Sequence, residues 1–269
     1  MLTNTTTTSE TSNTSSVDPQ SRFIAIGDIH GQFSQLDDML ERLTSYYNPE
    51  KLRFIFLGDY IDRGPDSARV ISRLIQFSVQ YPETIFLRGN HEQLFLDALD
   101  EMQPRTWDGR ENDSLETFHW IQNGGLDTLR SYGTEDLDRI LVSVPAEHLQ
   151  FIKNTRLDFD AGHLYFVHAG VVPPGCDWNG AKDGLDARLW IREPFLSYKA
   201  LIDNRIVVFG HTPQANGRPL VHRNKIGIDT GAVYGGPLTA VALSMRGPLP
   251  GRHVHPVFHQ VSSAVSSTL

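Results

Sequence analysis

Apolar β-type runs alternate with segments of helical periodicity through the first hundred residues of the chain. Strands are predicted at 23–27, 53–57 and 84–88. Between them, leucine, isoleucine, methionine and valine recur at helical spacing over 34–46 and again over 67–75. The resulting βαβαβ order implies right-handed crossovers and a parallel sheet. The expected fold class is therefore α/β.

The pattern is less regular in the second half of the chain. From 103 to 154 it is helical but interrupted by proline and glycine, which predicts a small helical cap inserted near the site. Trp120 and Gly124-Gly125 fall in this segment and are assigned no role beyond the cap. Further strands are predicted at 156–160, 164–168, 219–222, 225–229, 238–245 and 253–261, and in the apolar run that starts at 206.

The first 20 residues differ from the rest of the sequence. They are mostly threonine, serine and asparagine without apolar periodicity, so we expect residues 1–20 to be a disordered tail. They lack the basic start and apolar middle of a secretion signal. Residues 21–269 suffice for one catalytic domain with a large core. No apolar run approaches the roughly 18 residues of a membrane span, so no membrane association is expected.

Charge and cysteine content narrow the range of functions. The formal net charge of -8 and the pI near 5.7 argue against a nucleic-acid-binding surface, which would be basic. An acidic protein that acts on anions needs a locally positive site, and metal ions would supply one. The single cysteine, Cys176, excludes an internal disulfide and suits a reducing cytoplasm. A cysteine phosphatase loop is not indicated, because Lys182 stands where its arginine would be.

Polar side chains follow five of the predicted strands at the points where the apolar runs end. They are Asp28, His30, Asp59, Asn90, His168 and His211. The first, third and fourth of these are spaced 31 residues apart, about one strand plus a crossover helix. In an open α/β sheet, ligands bind beyond the carboxyl ends of the strands, so we expect these side chains to meet. Any one of them alone has an ordinary explanation as a turn or helix-capping residue.

Taken together, these residues predict a metal centre. Aspartate, asparagine and histidine are ligands suited to manganese, iron, zinc or nickel rather than to a thiolate zinc site. Six ligands exceed what one catalytic ion needs if it keeps an open position. They suit two ions roughly 3.5–4 Å apart that share a carboxylate. Asp59 follows the middle strand and is the natural bridge. We expect two divalent ions, with manganese as the first choice.

Five motifs resemble the signature of the metal-dependent phosphoprotein phosphatases, the serine/threonine phosphatase family within the calcineurin-like metallophosphoesterases. They are Gly27-Asp-Ile-His-Gly, Gly58-Asp-Tyr-Ile-Asp-Arg-Gly, Gly89-Asn-His-Glu, His168-Ala-Gly and Gly210-His-Thr. The similarity covers residues 22 to about 245 and is closest to bacterial and phage members. Trp190-Ile-Arg192 and Ile228-Asp-Thr-Gly-Ala232 also fit the bacterial pattern. The resemblance implies a β-sandwich of two mixed sheets flanked by helices.

The same resemblance implies a role for each candidate residue. It assigns one ion to Asp28, His30 and Asp59, and the other to Asp59, Asn90, His168 and His211. It makes His91 the general acid, oriented by Asp62. It gives Arg63 and Arg192 to the substrate phosphate, although an arginine is more commonly a surface ion-pair residue.

The implied activity is hydrolysis of phosphoserine and phosphothreonine in a phosphoprotein or phosphopeptide, with phosphotyrosine a further candidate, by an enzyme expected to be a monomer. A hydroxide that bridges two metal ions would attack directly, without a phosphoenzyme, because the ions lower the pKa of bound water and stabilise the transition state. Dinucleoside-tetraphosphate hydrolases look very similar and remain the alternative, although their symmetrical bacterial type lacks the carboxylate equivalent to Asp62. A non-catalytic scaffold is disfavoured, because every ligand position holds a competent residue.

Overall fold

Two mixed five-stranded sheets form the frame of the protein, seen in a computed structural model that describes residues 21–102, 115–246 and 253–263. The first sheet has the order β10-β9-β1-β2-β3 and contains β1 (Ser21–Ile26), β2 (Arg53–Phe56), β3 (Ile85–Phe86), β9 (Leu238–Arg246) and β10 (His253–Val261). The second has the order β4-β5-β6-β8-β7 and contains β4 (Asp158–Asp160), β5 (Leu164–Val167), β6 (Ile206–Phe209), β7 (Leu220–Val221) and β8 (Lys225–Gly227).

Parallel strands occupy the centre of each sheet, and antiparallel strands occupy its edges. In the first sheet β1, β2 and β3 are parallel, while β9 and β10 are antiparallel to their neighbours. In the second sheet β5, β6 and β8 are parallel, while β4 and β7 are antiparallel additions. This confirms the α/β class and the two mixed sheets. It also confirms that β2, which leads to Asp59, lies between β1 and β3.

The sheets pack face to face because their strands are apolar on both sides. In β1 the side chain of Ala25 points into the core between the sheets, whereas those of Ile24 and Ile26 point to the helical side. In β6 the inner residue is Val208, and its neighbour Val207 faces outward. Central strands that are buried on both faces read as continuous apolar runs, as these do in the sequence.

Helices cover the outer face of the first sheet. They are α1 (Phe33–Tyr46), α2 (Ser67–Gln80), α3 (Asn90–Glu101), α4 (Leu115–Trp120), α5 (Leu126–Ser131), α6 (Ile140–Ser143) and α7 (Ala146–Lys153). One more helix, α8 (Ala187–Trp190), lies by the second sheet. In α1 the buried residues recur at helical spacing, as Leu36, Met39, Leu40 and Leu43. A π-helical turn, Ile121–Gly125, joins α4 to α5. The predicted helical insertion is confirmed over 115–153.

Some predicted boundaries differ from the observed ones. The strand predicted at 84–88 is only two residues long as β3, because Leu87 forms an isolated bridge with Arg156. Residues 228–229 were predicted to extend β8, but the strand ends at Gly227. The tail at 1–20 and the first part of the predicted cap, 103–114, lie outside the described residues. Within the described ranges, every helix is too short or too polar to cross a bilayer.

Candidate metal centre and active site

The side chain of Asp59 lies at the centre of the predicted ligand cluster, with one oxygen facing each half of it. Its Oδ2 is 3.3 Å from Nε2 of His30, and its Oδ1 is 3.4 Å from Nε2 of His168. His30 follows β1 and Asp59 follows β2 in the first sheet, while His168 follows β5 in the second. The carboxyl ends of parallel strands from both sheets therefore meet at this carboxylate. This is the arrangement that a bridging ligand between two ions requires.

A second group of ligand atoms surrounds the amide of Asn90. Its Oδ1 is 3.0 Å from Nε2 of His168 and 3.0 Å from Nδ1 of His211. Ligand atoms of Asp59, His168 and His211 lie within 4.8 Å of one another. A similar group on the other side consists of Asp59, His30 and His91. The structure thus brings two sets of nitrogen and oxygen donors to a shared aspartate.

The backbone of the loop that follows β6 holds the carboxylate of Asp28 beside the other ligand side chains. Its Oδ2 and Oδ1 accept hydrogen bonds from the amide of His211 at 3.0 and 3.2 Å. The chain can approach so closely because residue 210 is glycine, where a Cβ would lie 2.0 Å from Oδ1 of Asp28. The carboxylate is buried, although it falls outside both of the three-residue groups described above. All six predicted ligands are buried side chains in one region.

Hydrogen bonds on the far side of two imidazoles orient them for ligation. Nδ1 of His30 lies 2.8 Å from the carbonyl of Ile61, and Nδ1 of His168 lies 2.8 Å from the carbonyl of Leu57. A carbonyl only accepts, so each Nδ1 carries the proton and each Nε2 is directed at Asp59. Metal-binding histidines are characteristically fixed in this way by their second nitrogen.

The electrostatics of the cluster also suit cations. Burial lowers the pKa of His30 and His168, but the hydrogen bonds and charge of Asp59 outweigh it and raise these pKa values to about 9 and about 10. Burial, reinforced by the charge of Asp229, raises the pKa of Asp28 well above its usual value. The buried carboxylates thus draw protons onto neighbouring groups. Divalent ions would replace those protons, so the residues present fit a metal centre.

His91 and Asp62 form a buried pair beside this cluster. Nδ1 of His91 lies 2.8 Å from Oδ2 of Asp62, and both side chains are 0% exposed. Nε2 of His91 has no hydrogen-bond partner among the described residues and lies 4.0 Å from Oδ2 of Asp59. Burial lowers the pKa of His91, and it outweighs the opposing effects of Asp59 and Asp62. An unpaired nitrogen therefore faces the space where the ligand atoms converge.

Two arginines were predicted to hold phosphate, and they differ in their surroundings. Arg63 is half-buried, and its Nη1 lies 2.9 Å from Nε2 of His30. Arg192 is exposed, and its charge contributes to lowering the pKa of His211, behind burial and other charges. Arg63 thus lies on the His30 side of the cluster. Arg192 is close enough for its charge to affect the pKa of His211 on the other side.

The loops that carry these residues are strained. Asp59, Asp62 and Arg63 have φ values of 53°, 70° and 67°, in the left-handed region that side chains disfavour. Each such residue costs of order 1–3 kcal/mol, and it persists only when its surroundings impose it. The carboxylate of Glu92 imposes the first bend, because it accepts hydrogen bonds from the amides of Asp59 and Tyr60, both at 2.8 Å.

A family model for the calcineurin-like phosphoesterases matches residues 21–215, which include every predicted site residue. The chain belongs to the calcineurin-like phosphoesterase family. Divalent metal ions are the cofactors of this family, in agreement with the ligand cluster.

Relatives of this phosphoesterase include enzymes of two kinds. It is 31% identical over 215 residues to serine/threonine-protein phosphatase 1 of Salmonella typhimurium, covering 80% of this chain and 88% of the relative. It is 28% identical over 242 residues to an asymmetrical bis(5'-nucleosyl)-tetraphosphatase of Anoxybacillus flavithermus, with the same coverage. A cold-active protein tyrosine phosphatase shares the fold alone, with a TM-score of 0.54 at 18% identity over 87% of this chain and 78% of that one. The kinship with bacterial phosphoprotein phosphatases is confirmed.

Three residues of the phosphoesterase site were missed by sequence reasoning. Glu92 ends the Gly-Asn-His-Glu motif and was not given a role. Trp120 donates from Nε1 to both oxygens of Asp62, at 3.0 and 3.1 Å. Thr128 donates from Oγ1 to Oδ1 of Asp62 at 2.6 Å. The insertion thus contacts the site directly, and the tryptophan and paired glycines of Trp120-Ile-Gln-Asn-Gly-Gly, assigned only to the cap, were its signal in the sequence.

Proposed function

We propose that this chain is a dinuclear-metal phosphomonoester hydrolase that acts on phosphoserine and phosphothreonine in proteins, with phosphotyrosine a further candidate. The observation that carries the proposal is the buried Asp62–His91 pair, whose unpaired Nε2 faces the ligand cluster. A proton donor at this place is needed most when the leaving group is an alkoxide. The resemblance of the motifs to serine/threonine phosphatases and the Salmonella relative support the same substrate class.

The residues proposed to hold the two ions are Asp28, His30 and Asp59 for one, and Asp59, Asn90, His168 and His211 for the other. When bound, such ions supply a water of lowered pKa and positive charge for the transition state. Manganese is the first candidate, with iron, zinc or nickel as alternatives that suit the same donor types. Asp59 would connect the two halves through its two oxygens.

Arg63 and Arg192 are proposed to bind the phosphate from two sides. A guanidinium is always charged and donates in a planar fork that matches phosphate oxygens. Arg63 is partly fixed already, because its backbone amide donates to the carbonyl of Gly124 at 3.2 Å. A substrate phosphate would also accept from the Nη1 group, which lies 2.9 Å from Nε2 of His30.

His91 is proposed to deliver the proton to the leaving oxygen. In the free site burial lowers its pKa, and the dianionic phosphate of a substrate would raise it again, because nearby negative charge favours the imidazolium. Nδ1–H stays bonded to Asp62, so the second proton resides on Nε2. Departure of a serine or threonine alkoxide without a proton is unfavourable, and acid catalysis typically contributes about 10²–10⁴-fold.

Hydrolysis of a dinucleoside tetraphosphate is the second candidate function. It is favoured by the Anoxybacillus relative, which matches this chain over as much of its length as the Salmonella phosphatase does. Cleavage of an anhydride expels a nucleotide phosphate, a weak base that departs without a proton. The second function would therefore make little use of the Asp62–His91 pair.

A parallel assay with manganese, a phosphopeptide and a dinucleoside tetraphosphate separates the two candidates. We expect the phosphopeptide to be the better substrate by kcat/KM. In the same series, His91→Asn should slow hydrolysis of an alkyl phosphate about 100-fold more than hydrolysis of nitrophenyl phosphate, whose leaving group is acidic. Equal losses on both, with full metal content, would refute the acid role. Faster turnover of the tetraphosphate would refute the phosphoprotein assignment.

The proposal extends to the oligomeric state and the cellular compartment of the enzyme. We propose that the enzyme acts as a monomer on phosphoprotein substrates in the cytoplasm. A reducing compartment suits the single cysteine, which is free and half-buried, and the acidic balance of the chain does not suit nucleic acid. Gel filtration would test the monomer.

A further inference from the structure

The loop 191–205, between α8 and β6, has a conspicuous set of hydrogen bonds to its backbone. Four of its carbonyl groups accept from two adjacent side chains at the start of β8. Nδ2 of Asn224 donates to Tyr198 and Ala200, both at 2.9 Å. Nζ of Lys225 donates to Leu196 at 3.1 Å, and also to Phe195. Since this loop has no regular structure of its own, these bonds replace the ladder that a strand or helix would give.

Lys225 is an unusual residue for this position. Its side chain is 0% exposed, yet in the described part of the chain no carboxylate lies within ion-pair distance of it. Its Nζ lies 4.3 Å from the centre of the Phe195 ring, so the cation is held by carbonyl oxygens and an aromatic face. Burial, assisted by the charge of Lys199, lowers the pKa of Lys225 to about 8, which leaves it charged at pH 7. A buried cation is costly, and here it is used to hold a loop.

The residues whose carbonyls bind Lys225 lie three and four positions after Arg192 in the chain. The amide of Leu196 donates to the carbonyl of Arg192 at 2.8 Å, so residues 192–196 form one turn. On its other side the ring of Phe195 packs 5.1 Å from that of Phe209 and fills the space beside Gly170, where a Cβ would lie 2.5 Å from the ring. The far end of the turn is therefore fixed from two sides, while the side chain of Arg192 is exposed at its beginning.

We propose that Asn224 and Lys225 are positioning residues: Lys225 fixes the 192–196 turn, Asn224 fixes the loop that follows it, and together they aim Arg192 at the substrate phosphate. This inference rests on the proposed function, because Arg192 has a phosphate to bind only if the enzyme acts on one. Neither residue would touch the substrate. Their loss would enlarge the range of positions open to the guanidinium, which weakens binding of the phosphate and leaves the acid and the ligand cluster in place.

The test uses the manganese-loaded enzyme, a phosphopeptide substrate and the variant Lys225→Met. We expect KM to rise about tenfold, equivalent to one 1.4 kcal/mol step, while kcat stays within about twofold. Lys199→Met is the matched control, since Lys199 is an exposed lysine of the same loop for which no hydrogen bond is found among the described residues. Its KM should not change. Asn224→Ala, which releases only two carbonyls, should raise KM about threefold.

A second series in the Arg192→Ala background separates positioning from general structural support. If Lys225 acts through Arg192, Lys225→Met should change KM less than about twofold once the guanidinium is gone. An undiminished effect there, or an equal effect of Lys199→Met, would overturn the inference. If Lys225→Met does not fold in thermal melts, Asn224→Ala carries the same comparison. Failure of the proposed function would be distinct, because the unaltered enzyme would then not turn over the phosphopeptide.

Discussion

The contact between the helical insertion and Asp62 makes a sharp prediction for Thr128. This residue is 0% exposed, and its hydroxyl donates to Oδ1 of Asp62 at 2.6 Å. Its oxygen also lies 2.9 Å from the backbone amide of Asp62, from which it accepts. Thr128→Val keeps the shape of the side chain and removes both bonds. We expect it to lower both stability and acid catalysis.

The size of the effect follows from what Asp62 loses. A hydrogen bond to a charged group contributes about 1.5–3 kcal/mol, and the amide of Asp62 keeps a second acceptor in Ser67 at 3.1 Å. We therefore expect a loss of about 2 kcal/mol, or a fall in Tm of about 4–8 °C for a domain of this size. The carboxylate keeps its bonds to Trp120 and His91, so orientation is impaired rather than abolished. Alkyl phosphate turnover should fall about tenfold, a fraction of the 10²–10⁴ range for acid catalysis.

The assay compares kcat for an alkyl phosphate and for nitrophenyl phosphate, with manganese content measured on the same samples. Thr117→Val is the control, because Thr117 donates from Oγ1 to a carboxylate of Glu101 at 2.5 Å within the same insertion but away from Asp62. It should lower Tm and leave the ratio of the two rates unchanged. If Thr128→Val slows both substrates equally, or if Thr117→Val changes the ratio as much, the insertion does not position the acid.

Two further predictions concern the metal centre. Asp59→Asn should remove most activity and leave clearly less than two ions per chain by metal analysis, because both halves of the cluster share this carboxylate; full occupancy with normal turnover would contradict the bridging role. Metal binding at pH 7 should release protons, because the pKa values of His30 and His168 are raised to about 9 and about 10 and each imidazole must lose a proton to hold an ion. The affinity for metal ions should rise as the pH increases toward these pKa values. Titration calorimetry in buffers of different ionisation enthalpy would measure the protons released. No net release at pH 7 would show that these histidines are neutral before the ions bind.

Much of the fold could be predicted from periodicity, and the exceptions have a physical cause. Strands buried on both faces, such as β1 and β2, are continuous apolar runs bounded by glycine, so their positions were predicted to within a residue or two. The run at 84–88 pairs with β2 only at Ile85 and Phe86, whereas its last residues bridge to the connecting segment at Arg156. Such pairing depends on where a distant segment runs, which no local pattern contains. The two-sheet arrangement likewise came from the resemblance and not from periodicity.

The ligand residues could be predicted because each follows its own strand directly. Chain direction alone then brings Asp28, Asp59 and Asn90 to one edge, whatever the details of packing. The residues that orient them were not accessible in this way. Trp120 is 58 residues from Asp62 in sequence, and only the packing of the insertion on the sheet brings the indole to the carboxylate. Asn224 and Lys225 are similar, since they act on a loop about 25 to 30 residues away.

The glycines of the motifs have a physical reason that connects sequence to chemistry. A Cβ on Gly58 would lie 2.4 Å from the amide nitrogen of Gly89, and a Cβ on Gly89 would lie 2.0 Å from Oδ1 of Asp59. Two loops from neighbouring strands therefore touch backbone to backbone at the point where the shared carboxylate is held. Side chains there would separate the loops, and Asp59 would no longer reach both His30 and His168. The glycines keep the ligands close, just as the strained conformation of Asp59 aims its two oxygens at different histidines.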